Sequence, residues 1–210
     1  NDELYPQDRR LKGIGEGRNL IVIQVEALQN FVVDYYHNDQ EVTPFINSLI
    51  KHNSSIYFDE YYQLIGRGNT SDAEFVTNNS MHPSMEDATY IQYSDNTFYG
   101  LPWLLRDNGY DAYVFHGFKK DFWNRYNAYD SQGFERFYHE EDYDFEEEIL
   151  FGISDREFYS QTLDYLVDIN SESDNPFYSF IISLSSHTPY NMAEEYHILE
   201  LSEKFQNNIV

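Results

Sequence analysis

The chain has 210 residues, long enough for one domain with a substantial core. It is 41% hydrophobic with 20 Tyr and 16 Phe, which excludes a disordered polymer. Only 13 Lys and Arg stand against 37 Asp and Glu, a formal net charge of -24, so the long-range field repels nucleic-acid phosphates and anionic membrane surfaces. An anionic ligand would need a local cluster of cations, a metal ion, or both. Cysteine is absent, which excludes disulfides, thiolate metal sites and cysteine nucleophiles. No stretch approaches the roughly 18 to 20 apolar residues of a membrane span, and residues 1–210 are read as a single domain.

The first predicted element is a strand in Asn19-Leu-Ile-Val-Ile-Gln-Val-Glu26, whose β-branched run predicts burial on both faces, with Glu26 at its end. A helix is predicted over residues 43–51, with Thr43 as N-cap, Pro44 in the first turn and Phe45, Ile46, Leu49 and Ile50 on one apolar face. A strand is predicted over residues 55–62. Gly66 and Gly68 then predict a loop turning into a helix that begins at Thr70-Ser-Asp-Ala-Glu, which puts Thr70 at a helix N-terminus. A helix over residues 97–108 stopping at Gly109, and a strand over residues 110–115, follow. Seven carboxylates between residues 139 and 148 predict a solvated loop or the start of an acidic helix, without the ligand spacing of a calcium-binding hand. Ser154 or Asp155 caps a helix reaching about Ile169, and residues 176–184 form a last strand leading into Ser185-Ser-His-Thr-Pro-Tyr190.

Strands alternating with helices predict an α/β layered fold with a mainly parallel sheet, in which ligands collect beyond the carboxyl ends of the strands. Glu26, His116 and His187 each follow a predicted strand, and Thr70 lies in a loop after another, so these residues are expected to converge on one concave site. A glutamate oxygen is a hard ligand suited to a divalent cation. A threonine hydroxyl is a poor nucleophile unless a cation and a helix N-terminus stabilise its alkoxide, so Glu26 and Thr70 are candidate ligands of one ion. The bland alternatives are a solvent-facing glutamate and an ordinary N-cap. His116-Gly-Phe-Lys-Lys-Asp-Phe-Trp-Asn-Arg125 is one of few basic islands in the chain. Arg125 is suited to grip phosphate bidentately, His116 to donate a hydrogen bond, and Trp123 to wall a small polyol. Against this, Trp123 could be core, Lys119 and Lys120 read best as surface charges, and His187 could be a loop histidine bonded to backbone.

Gly68-Asn-Thr-Ser-Asp-Ala-Glu-Phe75, Phe115-His-Gly with Phe122-Trp-Asn-Arg125, Phe151-Gly-Ile-Ser-Asp155 and Ser185-Ser-His-Thr-Pro-Tyr190 occur in the order found in lipoteichoic acid synthases. Across residues 19 to 192 the chain resembles these and related phosphoglycerol transferases. The resemblance implies a sulfatase/alkaline phosphatase-like fold and a catalytic domain on the extracellular side of the cell membrane, anchored by segments outside this chain. It also implies Thr70 as nucleophile, Glu26 and Thr70 as ligands of Mn2+ or Mg2+, and His116, Trp123, Arg125 and His187 as holders of the phosphoglycerol group. The implied reaction moves phosphoglycerol from phosphatidylglycerol to a glycolipid or teichoic acid-type polymer through a phosphothreonine.

Two departures from the family pattern stand out. The Asp-His pair that completes the family's metal site is absent from the 210 residues, which predicts a domain truncated on its C-terminal side. Phe118 stands where some relatives are expected to carry a polar residue. A phosphoethanolamine transferase, another phosphohydrolase of the superfamily, and a catalytically silent glycerophosphate-binding or interaction domain remain the alternatives.

Overall fold

The computed structural model describes residues 12–150, 152–190 and 192–200. Four parallel strands form the central sheet: β1 (Leu20–Gln24), β4 (Asp111–His116), β5 (Arg136–Tyr138) and β8 (Phe177–Ile182), in the order β1-β8-β4-β5. Two small antiparallel pairs decorate it. One joins β2 (Tyr36–His37) to β3 (Gln40–Glu41), the other β6 (Glu148–Ile149) to β7 (Gly152–Ile153). Asn38 and Asp39 both take positive φ between β2 and β3, the conformation that a two-residue hairpin turn demands.

Helices cover both faces of the sheet, and the two-residue period of the strands assigns the layers. Ala112 and Val114 of β4 and Tyr178, Phe180 and Ile182 of β8 point to one face. There they pack with Phe75 of α2 (Thr70–Asn79), Tyr90 of α3 (Thr89–Gln92), Leu101 and Leu105 of α4 (Leu101–Arg106), and Ala128 and Tyr129 of α5 (Arg125–Gln132). Phe115, Phe177 and Ile181 point the other way, onto Phe158, Leu166 and Ile169 of α6 (Asp155–Glu172). Ser154 caps α6 as predicted, its hydroxyl accepting from the Glu157 amide at 3.2 Å. The parallel α/β architecture therefore agrees with the sequence pattern.

Four local expectations are corrected. β1 lies at an edge of the described sheet, with Ile21 46% and Ile23 51% exposed, because β8 flanks it on one side only. Residues 55–62 form no strand. Among the described residues no strand pairs with them, and a cavity of about 610 Å³ lined by Val22 and Ile23 of β1 and by Tyr61 and Tyr62 lies where such a pairing would have to close. In α1 (Pro44–Ile50) the apolar face is not a core face: Phe45 and Leu49 are exposed and Asn47 is the buried residue. The Asn47 side chain accepts from the Asp34 amide and donates to Glu41, while the Thr43 hydroxyl bonds Val32 O and Asn47 Oδ1 instead of capping α1. The helix predicted over 97–108 begins only at Leu101, where Gly100 passes so close to α2 that a Cβ would stand 2.3 Å from Asn79 Oδ1.

The acidic run resolves as a single helical turn at Glu140–Asp142 followed by β6. Three of its seven carboxylates are paired, Glu141 by Lys120, Asp142 by Arg136 and Glu147 by Arg156, each at 2.9 Å.

Gly133 ends α5 with φ +96°, and a Cβ there would meet the Trp103 ring at 2.6 Å. Gly133→Ala is expected to destabilise the protein by about 1–3 kcal/mol, read as a lowered urea midpoint with an unchanged m-value.

Candidate active site

In a parallel sheet all carboxyl ends share one edge, and here that edge is organised by the residues that follow β8. The Ser183 hydroxyl accepts from the Glu26 amide at 2.8 Å and the Ser186 hydroxyl donates to Glu26 O at 2.6 Å, which fixes the chain where β1 has ended. The Glu26 carboxylate then accepts from the Thr70 hydroxyl, with Oε2 3.1 Å from Oγ1. Gln24, the last residue of β1, donates from Nε2 to the carbonyl of Thr70 at 3.2 Å. Thr70 is the first residue of α2, and Asn69 before it, at φ 44°, holds the N-cap position, so the hydroxyl of Thr70 is not spent on capping.

The loop that delivers Thr70 is built on Asp72. This carboxylate is fully buried and accepts four hydrogen bonds, from the amides of Gly66 (3.0 Å), Gly68 (2.8 Å) and Thr89 (3.1 Å) and from the Thr89 hydroxyl (2.8 Å). Gly68 is required by this approach, since a Cβ would stand 2.8 Å from the carboxylate. Glu74, one helical turn beyond Thr70, is also fully buried and pairs with Arg125. Sequence reasoning placed Asp72 and Glu74 among the acids of an ordinary helix start. The signal it lacked was their burial, which depends on partners brought in by the fold: Thr89 for Asp72, and Arg125 and Tyr129 for Glu74.

His116 ends β4 and is 2% exposed. Its Nδ1 lies 3.1 Å from Ile182 O, an atom with no hydrogen to give, so Nδ1 is the donor. Burial, and next the Arg125 charge, hold the imidazole well below the ordinary histidine range, so it is neutral near pH 7. A neutral ring that donates from Nδ1 carries its lone pair on Nε2. Where the sequence suggested a donor, the folded His116 is an acceptor suited to a hydroxyl group. Trp123 is half-buried rather than core. It takes φ 60° and is followed by Asn124 at φ 57°, whose side chain donates to Tyr90 O at 3.0 Å. Phe118 and Phe122 meet edge to face at 5.3 Å, and Phe122 meets Trp123 at the same distance, forming an aromatic wall.

Glu26, Thr70, His116, Trp123, Arg125 and His187 line one cavity of about 330 Å³, together with Phe118, Phe122 and Leu184. All six residues singled out from the sequence are thus brought together. His187 is also a backbone-bonded loop residue, its Nδ1 within hydrogen-bonding distance of Thr188 O. Lys120 stays on the surface with Glu141. Among the described residues no cluster of three or more His, Asp or Glu stands at metal-binding geometry.

A family model described as Sulfatase matches residues 18–208. The chain belongs to the sulfatase family. It is 36% identical over 184 residues to Lipoteichoic acid synthase 2 of Bacillus subtilis, a match covering 87% of this chain and 28% of that protein. It is 33% identical over 194 residues to Lipoteichoic acid synthase of Staphylococcus aureus strain NCTC 8325, covering 90% and 29%. The solved structure of a lipoteichoic acid synthase from Listeria monocytogenes superposes with a TM-score of 0.89 at 29% identity, covering 94% of this chain and 48% of that one. An alkaline phosphatase superfamily protein from Vibrio parahaemolyticus shares the fold, with a TM-score of 0.73 at 23% identity, covering 93% of this chain and 47% of that one. This sulfatase-family chain is therefore closely related to the lipoteichoic acid synthases and spans less than a third of the length of these two synthases.

Because four donors lose their acceptor together, Asp72→Ala is expected to cost about 3–5 kcal/mol, and Asp72→Asn, which keeps one acceptor oxygen, roughly half as much. Urea unfolding measures both, and hydrogen exchange at the Gly66 and Gly68 amides should accelerate in each variant.

Proposed function

We propose that this chain is the part of a phosphoglycerol transferase that carries the nucleophile, and that Thr70 attacks the phosphorus of phosphatidylglycerol. The observation that carries this reading is the Thr70 hydroxyl, free of capping duty at the start of α2 and 3.1 Å from Glu26, in a cavity shared with Arg125, His116, Trp123 and His187. The Thr70 Oγ–P bond forms as the bond from phosphorus to the diacylglycerol oxygen breaks, and diacylglycerol leaves with a proton. The hydroxyl of a glycolipid or of a teichoic acid-type polymer then attacks the same phosphorus, the P–Oγ bond breaks, and Thr70 regains its proton.

Charge supports a metal-assisted version. Glu26 in the cavity wall offsets the charge of Arg125, which is also paired with Glu74 behind it, and His116 is neutral, so these side chains alone do not favour an anion. Glu26 Oε2 and Thr70 Oγ1 are hard oxygen donors 3.1 Å apart, the donor chemistry that Mn2+ or Mg2+ takes. These two residues would hold Mn2+ or Mg2+ with ligands from outside the described residues. Such an ion, when bound, supplies the charge that stabilises the Thr70 alkoxide. Within the cavity, the aromatic wall excludes water, His116 Nε2 accepts from a glycerol hydroxyl, and Arg125 meets phosphate oxygen.

We place the domain on the extracellular side of a membrane that holds its lipid substrate. No helix among the described residues is long and apolar enough to cross a membrane.

In the full-length protein Thr70→Ala is expected to lower phosphatidylglycerol turnover more than about 1,000-fold. Its thermal unfolding should match that of the wild type. Diacylglycerol release from labelled lipid measures the first effect. Incubation with phosphatidylglycerol should add one phosphoglycerol mass to the Thr70 peptide of the wild type alone. Phosphoethanolamine on that peptide would assign the other transferase class, and retained turnover by a folded Thr70→Ala protein would refute the covalent route.

A further inference from the structure

Arg125 is 1% exposed, and its guanidinium is already engaged before any ligand arrives. Nη2 donates to Glu74 Oε1 at 2.7 Å, and Nε donates to the same carboxylate at 3.1 and 3.3 Å. This is the side-on fork that the sequence reading reserved for phosphate. Nη1 donates to Phe122 O at 3.4 Å, which leaves one hydrogen on each of the two terminal nitrogens. Tyr129, one turn along α5 from Arg125, donates to Glu74 Oε2 at 2.6 Å, so the carboxylate is gripped from two successive turns of one helix. Burial, the largest single influence, would pull the guanidinium down, but the charge and hydrogen bonds of Glu74, together with Tyr129 and Tyr90, outweigh it and raise Arg125 above its ordinary range, keeping it charged.

A buried ion pair of this kind is a weak source of stability, since the desolvation of both charges offsets most of their attraction. Its value here lies in orientation. Glu74 stands on α2 four residues after Thr70, on the same face, so one helix carries both the hydroxyl and the anchor of the arginine. We propose that Glu74, braced by Tyr129, is a positioning residue that occupies the side-on edge of Arg125 and presents its end-on pair of N–H groups to the phosphate oxygens of the group held by Thr70. This rests on the phosphoglycerol transfer reading. It assigns Glu74 no contact with substrate; it acts through Arg125.

The experiment uses the full-length protein with three variants. Glu74→Gln removes the charge while keeping the shape. Tyr129→Phe removes only the brace and leaves the ion pair intact, which keeps the proposal open to refutation if Glu74→Gln fails to fold. Arg125→Ala supplies the background for a double-variant comparison. Misplacement of a phosphate-orienting group is expected to lower kcat/KM for phosphatidylglycerol about 10- to 100-fold in Glu74→Gln and by a smaller factor in Tyr129→Phe. Neither change should lower turnover further once Arg125 is Ala. A readout independent of turnover is the Arg125 Nε–H proton resonance, expected to exchange slowly in the wild type and to broaden or disappear in Glu74→Gln.

Full activity in a folded Glu74→Gln protein, or a loss that persists undiminished in the Arg125→Ala background, would overturn the proposal. If the wild type turns over no phosphatidylglycerol, the transfer reading fails. The Nε–H resonance with and without added inorganic phosphate then decides separately. An ordered Nε–H with Nη signals that shift on phosphate addition, an effect lost in Glu74→Gln, supports the positioning role, and a Glu74→Gln protein that responds like the wild type overturns it.

Discussion

The carboxyl end of β8 is the reference point for the edge of the sheet that carries the candidate site. Six consecutive buried residues between β1 and β4 leave this strand no freedom to slide, because a one-residue shift would exchange Tyr178, Phe180 and Ile182 for Phe177 and Ile181 on opposite layers. The residues that emerge from it then place their neighbours. Ile182 O orients the His116 ring, Ser183 and Ser186 hold the backbone of Glu26, and the chain continues to Leu184 and His187 in the cavity wall. A register set by apolar packing is thereby converted into the positions of polar groups.

A second level of organisation runs through α2. Its first five residues contain three side chains with separate tasks. Thr70 faces Glu26, Asp72 turns back to gather the amides of the preceding loop, and Glu74 reaches across to Arg125. Two fully buried carboxylates in one helical turn would be costly without partners. Both have a full set, four donors for Asp72 and the Arg125 and Tyr129 donors for Glu74. The strong acidity of the chain is therefore not only a surface property.

Much of this was legible in the residues, and the pattern of success has a physical basis. The parallel sheet was visible because strands alternate with helices along the chain, and the start of α6 was visible because an N-cap is a local contact at Ser154. Catalytic candidates were visible because strand ends share an edge. Residues 55–62 misled because a strand is a pairing between segments, and a β-rich composition does not reveal whether a partner is present. Arg125 misled in another way. Its type announced a bidentate fork, while the carboxylate that fills the fork lies 51 positions away and only the tertiary fold brings it near. His116 likewise was recognisable as a candidate, but which of its ring nitrogens is left to accept depends on Ile182 O, 66 positions distant.

The two tryptophans stand in different surroundings, and this gives the molecule an optical asymmetry. Trp103 is packed beneath Arg106 at 4.9 Å and against Gly133, its indole nitrogen donating to Ser131 O, whereas Trp123 borders the cavity beside the aromatic wall. Emission from Trp103 is tied to the integrity of the α4–α5 packing. Emission from Trp123 senses the polarity and quenchers of the candidate-site cavity. The wavelength and intensity of the second can follow the filling of the pocket while the first registers the state of the fold, so the intrinsic fluorescence of the unlabelled protein separates binding from unfolding.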